Sequence, residues 1–290
     1  MTARRRVKRL PVSVLVPTIG RPDLLRQCLR SLAACSPLPA EILVSDQSGD
    51  PATARTVAEF AGAGARLVPC PGRGIGRAIN RVLAEATEAT VMVTHDDCTV
   101  APDWVAAGDR HMTGYRHGMV TGRVMPVGDP RRVPSTKTDH IPWNFTRTTI
   151  DVLYPMNMAC DREALVAMGG FDEQLVPAAE DNDLCYRWTK AGRPLRYVPD
   201  MTVFHHDWRS IPDLKRMYVG YARGQGMFFA KHLRAGDVVF LRYIVREFRH
   251  AAVGLAIRAL TPWRRRPPDW RTGVFTGLPV GLWRGWRTFR

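Results

Sequence analysis

The first third of the sequence alternates short apolar runs with stretches in which apolar residues recur every three or four positions. The short runs predict β-strands, and the recurring positions predict amphipathic helices. The predicted order is strand 12–16, helix 22–34, strand 42–45, helix 52–62, strand 66–69, helix 75–88 and strand 90–94. Because the strands are continuously apolar, they predict an α/β fold with a mostly parallel sheet covered by helices on both faces.

The pattern loosens after Val124, where Pro, Thr and Arg become frequent and predict a loop over residues 126–150. Asp161 or an adjacent residue is expected to cap the helix that follows. The remaining predicted elements are helix 162–168, helix 180–191, strand 195–198, strand 202–204 and helix 211–233.

Polar residues follow each of the first four predicted strands. Thr18 follows the first strand, Asp46 the second, the glycine-rich segment 72–76 the third, and Asp96-Asp97 the fourth. Ligands of open α/β sheets bind at the carboxyl ends of the strands. We therefore expect these side chains to meet at one edge of the sheet and to form a binding site.

The adjacent carboxylates of Asp96 and Asp97 admit two interpretations. A buried carboxylate pair is costly unless it is paired or binds a cation, and Mg²⁺ or Mn²⁺ would take these oxygens together with those of a substrate phosphate. Alternatively, the pair is an exposed acidic turn that caps a helix beginning at Pro102. The pair alone does not decide between the two.

The net charge of +15 is concentrated at the two ends of the chain. Residues 1–10 carry five basic residues and no acid, and residues 234–290 carry twelve Arg against three acids. These ends contribute +5 and +9, which leaves about +1 for residues 11–233. We therefore predict a basic N-terminal arm (1–10), a nearly neutral α/β domain (11–233) and a basic C-terminal extension (234–290).

The cysteines favour a cytoplasmic protein. The six Cys form neither a CxxC pair nor a spacing with His that would complete a zinc site, so reduced thiols are expected. The basic start resembles a signal peptide only superficially, because Pro11 and Pro17 interrupt the apolar run that follows. No uninterrupted apolar stretch reaches the length of a membrane span.

The order of six motifs resembles the family 2 glycosyltransferases, over roughly residues 11–210. The motifs are SVLVPT (13–18), LVSDQSGD (43–50), the helix start from Gly74 to Asn80, DD (96–97), GGFDE (169–173) and EDNDL (180–184). The resemblance implies a GT-A fold and a metal-dependent inverting transfer. The sugar would pass from a nucleoside-diphosphate-sugar, of UDP or dTDP type, to a hydroxyl of a saccharide or lipid-linked acceptor.

The same resemblance implies residues that hold the donor. Pro17, Thr18 and Asp46 match the segments that hold the base and ribose, and Asp96 matches a ribose contact. Arg73 or Arg77 is expected to reach the diphosphate through charge-assisted hydrogen bonds, and Arg77 is the one selected. The alternatives are a helix cap for Asp46 and a solvated arginine in a flexible turn for Arg77.

The later motifs of the resemblance imply the metal ligands and the catalytic base. Asp97 matches the metal ligand of the family. Of the pair His205-His206, His205 is expected to face Mn²⁺ or Mg²⁺. The alternative for His205 is an ordinary core or surface histidine without a metal. Asp181 is expected to act as the base on the acceptor hydroxyl. Glu180 is its alternate.

Asp183 is a further alternate for the base, but it is expected to contact the acceptor or the backbone. Carboxylates in the first turn of a helix are also favourable with the helix dipole alone. The acidic motif therefore has a purely structural interpretation as well.

The composition of the C-terminal extension suggests that it binds a membrane surface. Residues 237–260 mix apolar residues with Arg242, Arg246 and Arg249, which share one helical face, and Trp and Arg residues follow. This composition predicts peripheral attachment to an anionic membrane surface, at the inner face of the cell membrane. A helical lid on the domain or a protein-binding site are the alternatives.

Two rival classes explain less of the sequence. A non-catalytic nucleic-acid-binding protein would account for the arginines, but not for acidic strand ends in a neutral domain, so no nucleic-acid partner is expected. A nucleotidyltransferase acting on sugar phosphates shares the architecture, but the glycine-rich loop with a following Arg is missing after the first strand. A non-catalytic relative that binds sugar or membrane stays a further alternative.

Overall fold

Strands and helices alternate along the first third of the chain as the apolar pattern predicts. The structure, a computed structural model, describes residues 8–261, 263, 269 and 271–289. The strands are β1 Arg9–Thr18, β2 Leu38–Asp46, β3 Ala65–Pro69, β4 Thr90–Val93, β5 Cys98–Val100, β6 Met119–Val127, β7 Trp143–Phe145, β8 Met158–Asp161 and β9 Leu195–His206. The helices are α1 Pro22–Ala33, α2 Pro51–Ala58, α3 Ile75–Leu83, α4 Trp104–Met112, α5 Arg162–Ala167, α6 Glu180–Lys190, α7 Ile211–Arg234, α8 Val239–Leu260 and α9 Arg271–Thr288.

The strands form one mixed sheet in the order β3-β2-β1-β4-β8-β6-β9-β5, with β7 paired to β9. The first four strands of this order are parallel, and β6 is parallel to β9. In contrast, β8 runs antiparallel between β4 and β6, and β5 and β7 run antiparallel to β9. The mostly parallel sheet is confirmed, and the antiparallel strands are features that the apolar pattern did not predict.

Helices cover both faces of the sheet. Successive residues of β1 point to opposite faces, so Val14 packs in one core with Leu29 and Trp104, while Leu15 packs in the other core with Ile79 and Trp188. All six side chains are fully buried. Burial on both sides explains why this strand reads as a continuous apolar run.

Two predicted strands, 195–198 and 202–204, are one strand, β9. Its register against β6 shifts between Gly122 and Arg123, which pair with Val198 and Thr202. Pro199 lies in the shifted part, where a residue without an N–H group does not interrupt the ladder. The prediction of two strands was wrong because a bulge accommodates the proline.

The helix predicted over 75–88 is shorter than expected and ends at Leu83. The following residues turn toward the sheet, where Thr87 donates from its N and Oγ1 to Glu41 Oε1, both at 2.8 Å. Helix α2 also ends early and is followed by a single 3₁₀ turn. The predicted cap of α5 is confirmed, because the Asp161 side chain accepts from Ala164 N.

Contacts divide the chain into two units. The first, the sheet unit, comprises Met1–Phe171 and Leu184–Asp207, and the second, the helical unit, comprises Asp172–Asp183 and Trp208–Arg290. The arm predicted at 1–10 lies mostly outside the described residues. The predicted borders at residues 10 and 233 stay predictions.

Glycines at four-residue intervals define the packing of α9 on α7 in the helical unit. A Cβ atom on Gly273, Gly277 or Gly281 would overlap the carbonyl oxygen of a residue in α7. Gly285 would come within 2.8 Å of Met227 in the same helix. Small residues at this spacing let two helix backbones approach closely, as in the helix pairs of membrane proteins.

We predict that Gly281→Ala destabilises the protein by about 2 kcal/mol, because the methyl group meets the Arg223 carbonyl oxygen. Helix propensity alone would instead favour Ala by about 1 kcal/mol. Urea denaturation measures the difference. Gly62→Ala is the control, since a Cβ there meets no atom within 4 Å. Unchanged or greater stability of Gly281→Ala would refute the close approach.

Candidate functional site

The carboxyl ends of β1 and β4 bring Thr18 and Asp96 together. Thr18 Oγ1 donates to Asp96 Oδ2 at 2.6 Å. Arg21, just before α1, donates from Nε to the same oxygen at 3.0 Å, and its Nη2 lies 2.7 Å from Oδ1. Asp96 is fully buried and Asp97 nearly so, and therefore the interpretation as an exposed acidic turn is wrong.

Burial raises the pKa of Asp96 to about 6, although the Arg21 guanidinium lowers it and the neighbouring Asp97 carboxylate raises it further. Arg21 also lies 3.7 Å from Asp97 Oδ2. The Arg21 guanidinium thus lies within ion-pair distance of both adjacent buried carboxylates, Asp96 and Asp97. Such a site favours the arrival of further positive charge.

Asp97 meets His205 across the β5–β9 pair. Cys98 of β5 is in register with His205 of β9, which places His205 Nε2 at 3.6 Å from Asp97 Oδ2. Asp97, Cys98 and His205 each offer a ligand atom within 4.8 Å of the others. The structure therefore brings together the two residues that the sequence analysis assigned to the metal.

The donors at this point fit a hard divalent ion. A carboxylate oxygen and an imidazole nitrogen are ligands that Mn²⁺ accepts. The Cys98 thiol is a poor third ligand, because burial first, and then the Asp97 carboxylate, raise its pKa well above the usual range. His205 Nδ1 is buried without a hydrogen-bond partner among the described residues. Asp97 and His205 would leave the other coordination positions of an ion to water and substrate oxygens.

Asp46 lies beside Thr18 at the same edge, since the two residues are in register between β1 and β2. Its carboxylate accepts from Ser48 N at 2.9 Å, Ser48 Oγ at 2.6 Å and Gly49 N at 3.1 Å. The alternative that Asp46 caps the next helix is wrong, because Asp50 caps α2. Asp46 instead shapes the turn after β2.

The glycine-rich segment after β3 is held by a residue that the sequence analysis did not select. Gln47 Nε2 donates to the carbonyl oxygens of Gly72 and Gly74 at 2.9 and 3.0 Å.

Arg77 is exposed on the first turn of α3, next to Gly72. Pro17 is buried in β1, opposite Ser45 of β2.

The GGFDE motif has a structural explanation in its first three residues. Asn80 Nδ2 donates to Phe171 O at 2.8 Å, and Phe171 N donates to Asn80 Oδ1 at 2.9 Å. Gly170 has φ +64°, and a Cβ there would overlap the Asn80 amide. The glycine and the asparagine are therefore required together for this turn to pack on α3.

The acidic motif opens α6, and its first four residues belong to the helical unit. Glu180 is buried, and burial raises its pKa well above the usual range, with Asp181 and Asp183 adding to the effect. Asp181 is only half-buried, and its Oδ1 accepts from Asn182 N at 2.8 Å. The side chain of Asn182 contacts α7, because its Nδ2 donates to Gln225 Oε1 at 2.8 Å.

The Asp183 carboxylate contacts two basic side chains of α7, which the sequence analysis did not predict. It is fully buried, and its Oδ1 lies 2.7 Å from Lys231 Nζ and 2.8 Å from His232 Nε2. Lys231 also lies 2.7 Å from Asp172 Oδ2. This buried ion cluster fixes the start of α6 to α7, and so Asp183 is a structural residue.

We predict that Lys231→Met destabilises the protein by about 3 kcal/mol, because two acids lose the lysine that pairs them. Thermal or urea denaturation measures the loss. Lys215→Met is the matched control, since Lys215 is an exposed lysine of the same helix. Equal stability of the two variants would contradict the role of the cluster.

Three features of the site escaped sequence reasoning. Arg21 lies outside every motif of the sequence analysis, and its partner Asp96 is 75 residues away. Lys231 and His232 looked like ordinary basic residues in the last turn of a helix. Their partner Asp183 is separated from them by 48 and 49 residues, which local patterns do not reveal.

The chain is similar to known proteins in sequence and in structure. Residues 13–168 match glycosyl transferase family 2. No curated protein sequence matches the chain. The structure of the mannosyltransferase PcManGT from Pyrobaculum calidifontis, in complex with GDP-Man and Mn²⁺, is similar with a TM-score of 0.62 at 20% identity, over 97% of this chain and 88% of that chain.

Two further solved structures are similar. TarS 1–349 of S. aureus in complex with UDP has a TM-score of 0.57 at 19% identity, over 74% of this chain and 65% of that chain. GalNAc-T7 with UDP, GalNAc and Mn²⁺ has a TM-score of 0.57 at 17% identity, over 80% of this chain and 53% of that chain. These likenesses show the fold, which is the expected GT-A fold with a C-terminal helical extension.

Proposed function

Because the chain belongs to glycosyl transferase family 2, we propose that it is a metal-dependent inverting glycosyltransferase. The sugar passes from a nucleoside-diphosphate-sugar to a hydroxyl of a saccharide or lipid-linked acceptor. The observation that carries the proposal is the buried group at the strand ends, where Asp97 lies beside His205 and Asp96 beside Thr18. The six free, buried cysteines are consistent with a cytoplasmic location.

The donor is bound at the carboxyl edge of the parallel strands. Thr18, Asp46 and Asp96 are neighbours there and hold the nucleoside, with the buried Pro17 supporting the edge. Arg77 is exposed next to the glycine-rich segment, and its guanidinium group would bind the diphosphate through charge-assisted hydrogen bonds. A UDP- or dTDP-type donor is the first choice, and GDP, present as GDP-Man in the structure of PcManGT, is tested beside it.

Asp97 and His205 would hold Mn²⁺ or Mg²⁺. When bound, such an ion neutralises the negative charge that develops on the departing nucleoside diphosphate. Thr18 and Arg21 keep the Asp96 carboxylate beside this site in a fixed orientation. The fixed neighbours mean that little reorganisation is needed as the charge develops.

Asp181 removes the proton from the acceptor hydroxyl as its oxygen attacks the anomeric carbon. The bond from that carbon to the diphosphate oxygen breaks with inversion, and the proton stays on the carboxylate. Its exposure makes Asp181 a better candidate for the base than its neighbours. Glu180 is buried and has a raised pKa, and Asp183 forms an ion pair with Lys231. A half-buried carboxylate is accessible to an acceptor hydroxyl.

A thermal-shift screen of UDP, dTDP, GDP and ADP, each with and without Mn²⁺, tests the proposal. Ligands that bind only the folded state raise the melting temperature in proportion to their affinity and concentration. We expect one nucleoside diphosphate to stabilise the protein clearly, and only when Mn²⁺ is present. Absence of a shift with every nucleotide, or shifts independent of Mn²⁺, would contradict the metal-dependent donor site.

A further inference from the structure

Helix α8 carries an apolar face that is exposed along its whole length. Leu241, Val245, Val253 and Leu260 are 55–74% exposed. They lie on the side of the helix opposite the buried Phe240, Glu247 and Ala251, as the period of 3.6 residues requires. Soluble monomers rarely expose so many large apolar side chains on one face of a helix, and therefore this face requires a partner.

Helix α9 adds an aromatic strip to this face. Its glycines face α7, and the opposite side exposes Phe275, Trp283 and Trp286. The two strips adjoin where the rings of Phe248 and Phe275 lie 5.6 Å apart. We call the combined exposed faces of α8 and α9 the apolar platform.

The charges on the platform decide which partner fits. Arg242 and Arg249 share the exposed side of α8 with Leu241 and Val245, and neither has an acidic partner among the described residues. The single acid of α8, Glu247, is buried on the other side and accepts from Arg246 at 3.0 Å. Apolar, tryptophan and arginine side chains without acids match an anionic lipid surface.

Other occupants fit less well. A second copy of the chain would bring Arg242 and Arg249 against the same residues across a two-fold axis, which like charges oppose. A helix with the length and hydropathy to cross a bilayer is not found within the described residues. The platform is therefore suited to lie in the interface of a bilayer, with its apolar side chains among the acyl chains.

We propose that the apolar platform of α8 and α9 binds the surface of an anionic membrane. The tryptophans sit at the headgroup level, and the arginines contact lipid phosphates. Binding of this kind holds the enzyme at the bilayer, where a lipid-linked acceptor would be present. The inference is independent of the proposed reaction, because vesicle binding is measured without donor or acceptor.

Vesicle flotation of the full chain tests the inference. Phosphatidylcholine vesicles with about a quarter phosphatidylglycerol are compared with pure phosphatidylcholine, at low and high salt. We expect the protein to float with the anionic vesicles, to bind the neutral ones at least about tenfold more weakly, and to dissociate as salt rises. Equal binding to both vesicles, or binding to neither, would overturn the proposal.

Two double variants separate the apolar and the charged contributions. Leu241→Ser with Val245→Ser is expected to weaken binding by about thirtyfold or more, because two inserted side chains are lost. Arg242→Gln with Arg249→Gln is expected to lose about tenfold, and only on anionic vesicles. Unchanged melting temperatures show that the exposed positions leave folding intact.

Val166→Ser is the matched control, because Val166 is a half-exposed aliphatic residue on α5 of the sheet unit. It is expected to bind vesicles like the unmodified protein. Sedimentation equilibrium without lipid examines the rival partner. A stable dimer that the serine pair dissociates would assign the platform to a second copy of the chain and overturn the membrane proposal.

Discussion

Asp97→Asn is expected to abolish sugar transfer, with a loss of about three orders of magnitude or more. Asn keeps the shape of the side chain but removes the negative charge that would hold the cation next to His205. The variant should therefore also lose the Mn²⁺-dependent part of nucleotide binding. Steady-state kinetics and nucleotide titration with and without Mn²⁺ measure both effects.

The same substitution should not harm folding. Asp97 is a buried carboxylate beside the buried carboxylate of Asp96, and removing one of two like charges relieves repulsion. We expect an equal or higher melting temperature, which separates loss of function from loss of structure. Asp129→Asn is the control, because Asp129 pairs with Arg131 at the surface. Normal transfer by Asp97→Asn would contradict the assignment.

Asp181→Asn is expected to reduce transfer by about 10²–10⁴-fold while donor affinity changes little. The amide cannot accept the proton of the acceptor hydroxyl, and Asp181 is not among the residues proposed to hold the donor. Turnover of saturated enzyme and donor binding by calorimetry are measured on the same preparation. Equal loss of donor binding would mean that Asp181 belongs to the donor site.

Two neighbouring acids sharpen this test. Glu180→Gln is expected to reduce transfer far less than Asp181→Asn, because burial raises the pKa of the Glu180 carboxyl and so disfavours the ionised form that a base requires. Glu163→Gln is the inert control, since Glu163 is an exposed acid in the first turn of α5. A larger loss in Glu180→Gln than in Asp181→Asn would transfer the role of base to Glu180.

Much of the sheet unit follows from local patterns. The inner strands β1, β2 and β4 are mostly apolar and buried. Polar strand ends meet because parallel strands end at one edge of the sheet, as Thr18 and Asp46 show. The pairing of Asp97 with His205 is different, since it depends on β5 lying antiparallel to β9 more than a hundred residues later. Only the resemblance to a family, and no periodicity, connected these two residues in advance.

The helical unit was less predictable. Asp183 reads as one more acid of a helix start, and only the fold places Lys231 and His232 against it. The four glycines of α9 recur every four residues, a signal that sequence analysis could have used and did not. Their role depends on contact with α7, which no local pattern within α9 reveals.

The central claim is that Asp97 and His205 hold a divalent cation that in turn contacts the diphosphate of the donor. Electron paramagnetic resonance of free Mn²⁺ measures it most directly, in the presence of the nucleoside diphosphate that the thermal screen selects. The account predicts that the unmodified protein takes up Mn²⁺ together with the nucleotide, and that Asp97→Asn and His205→Gln lose this uptake while Asp129→Asn keeps it. Undiminished Mn²⁺ uptake by Asp97→Asn would contradict it.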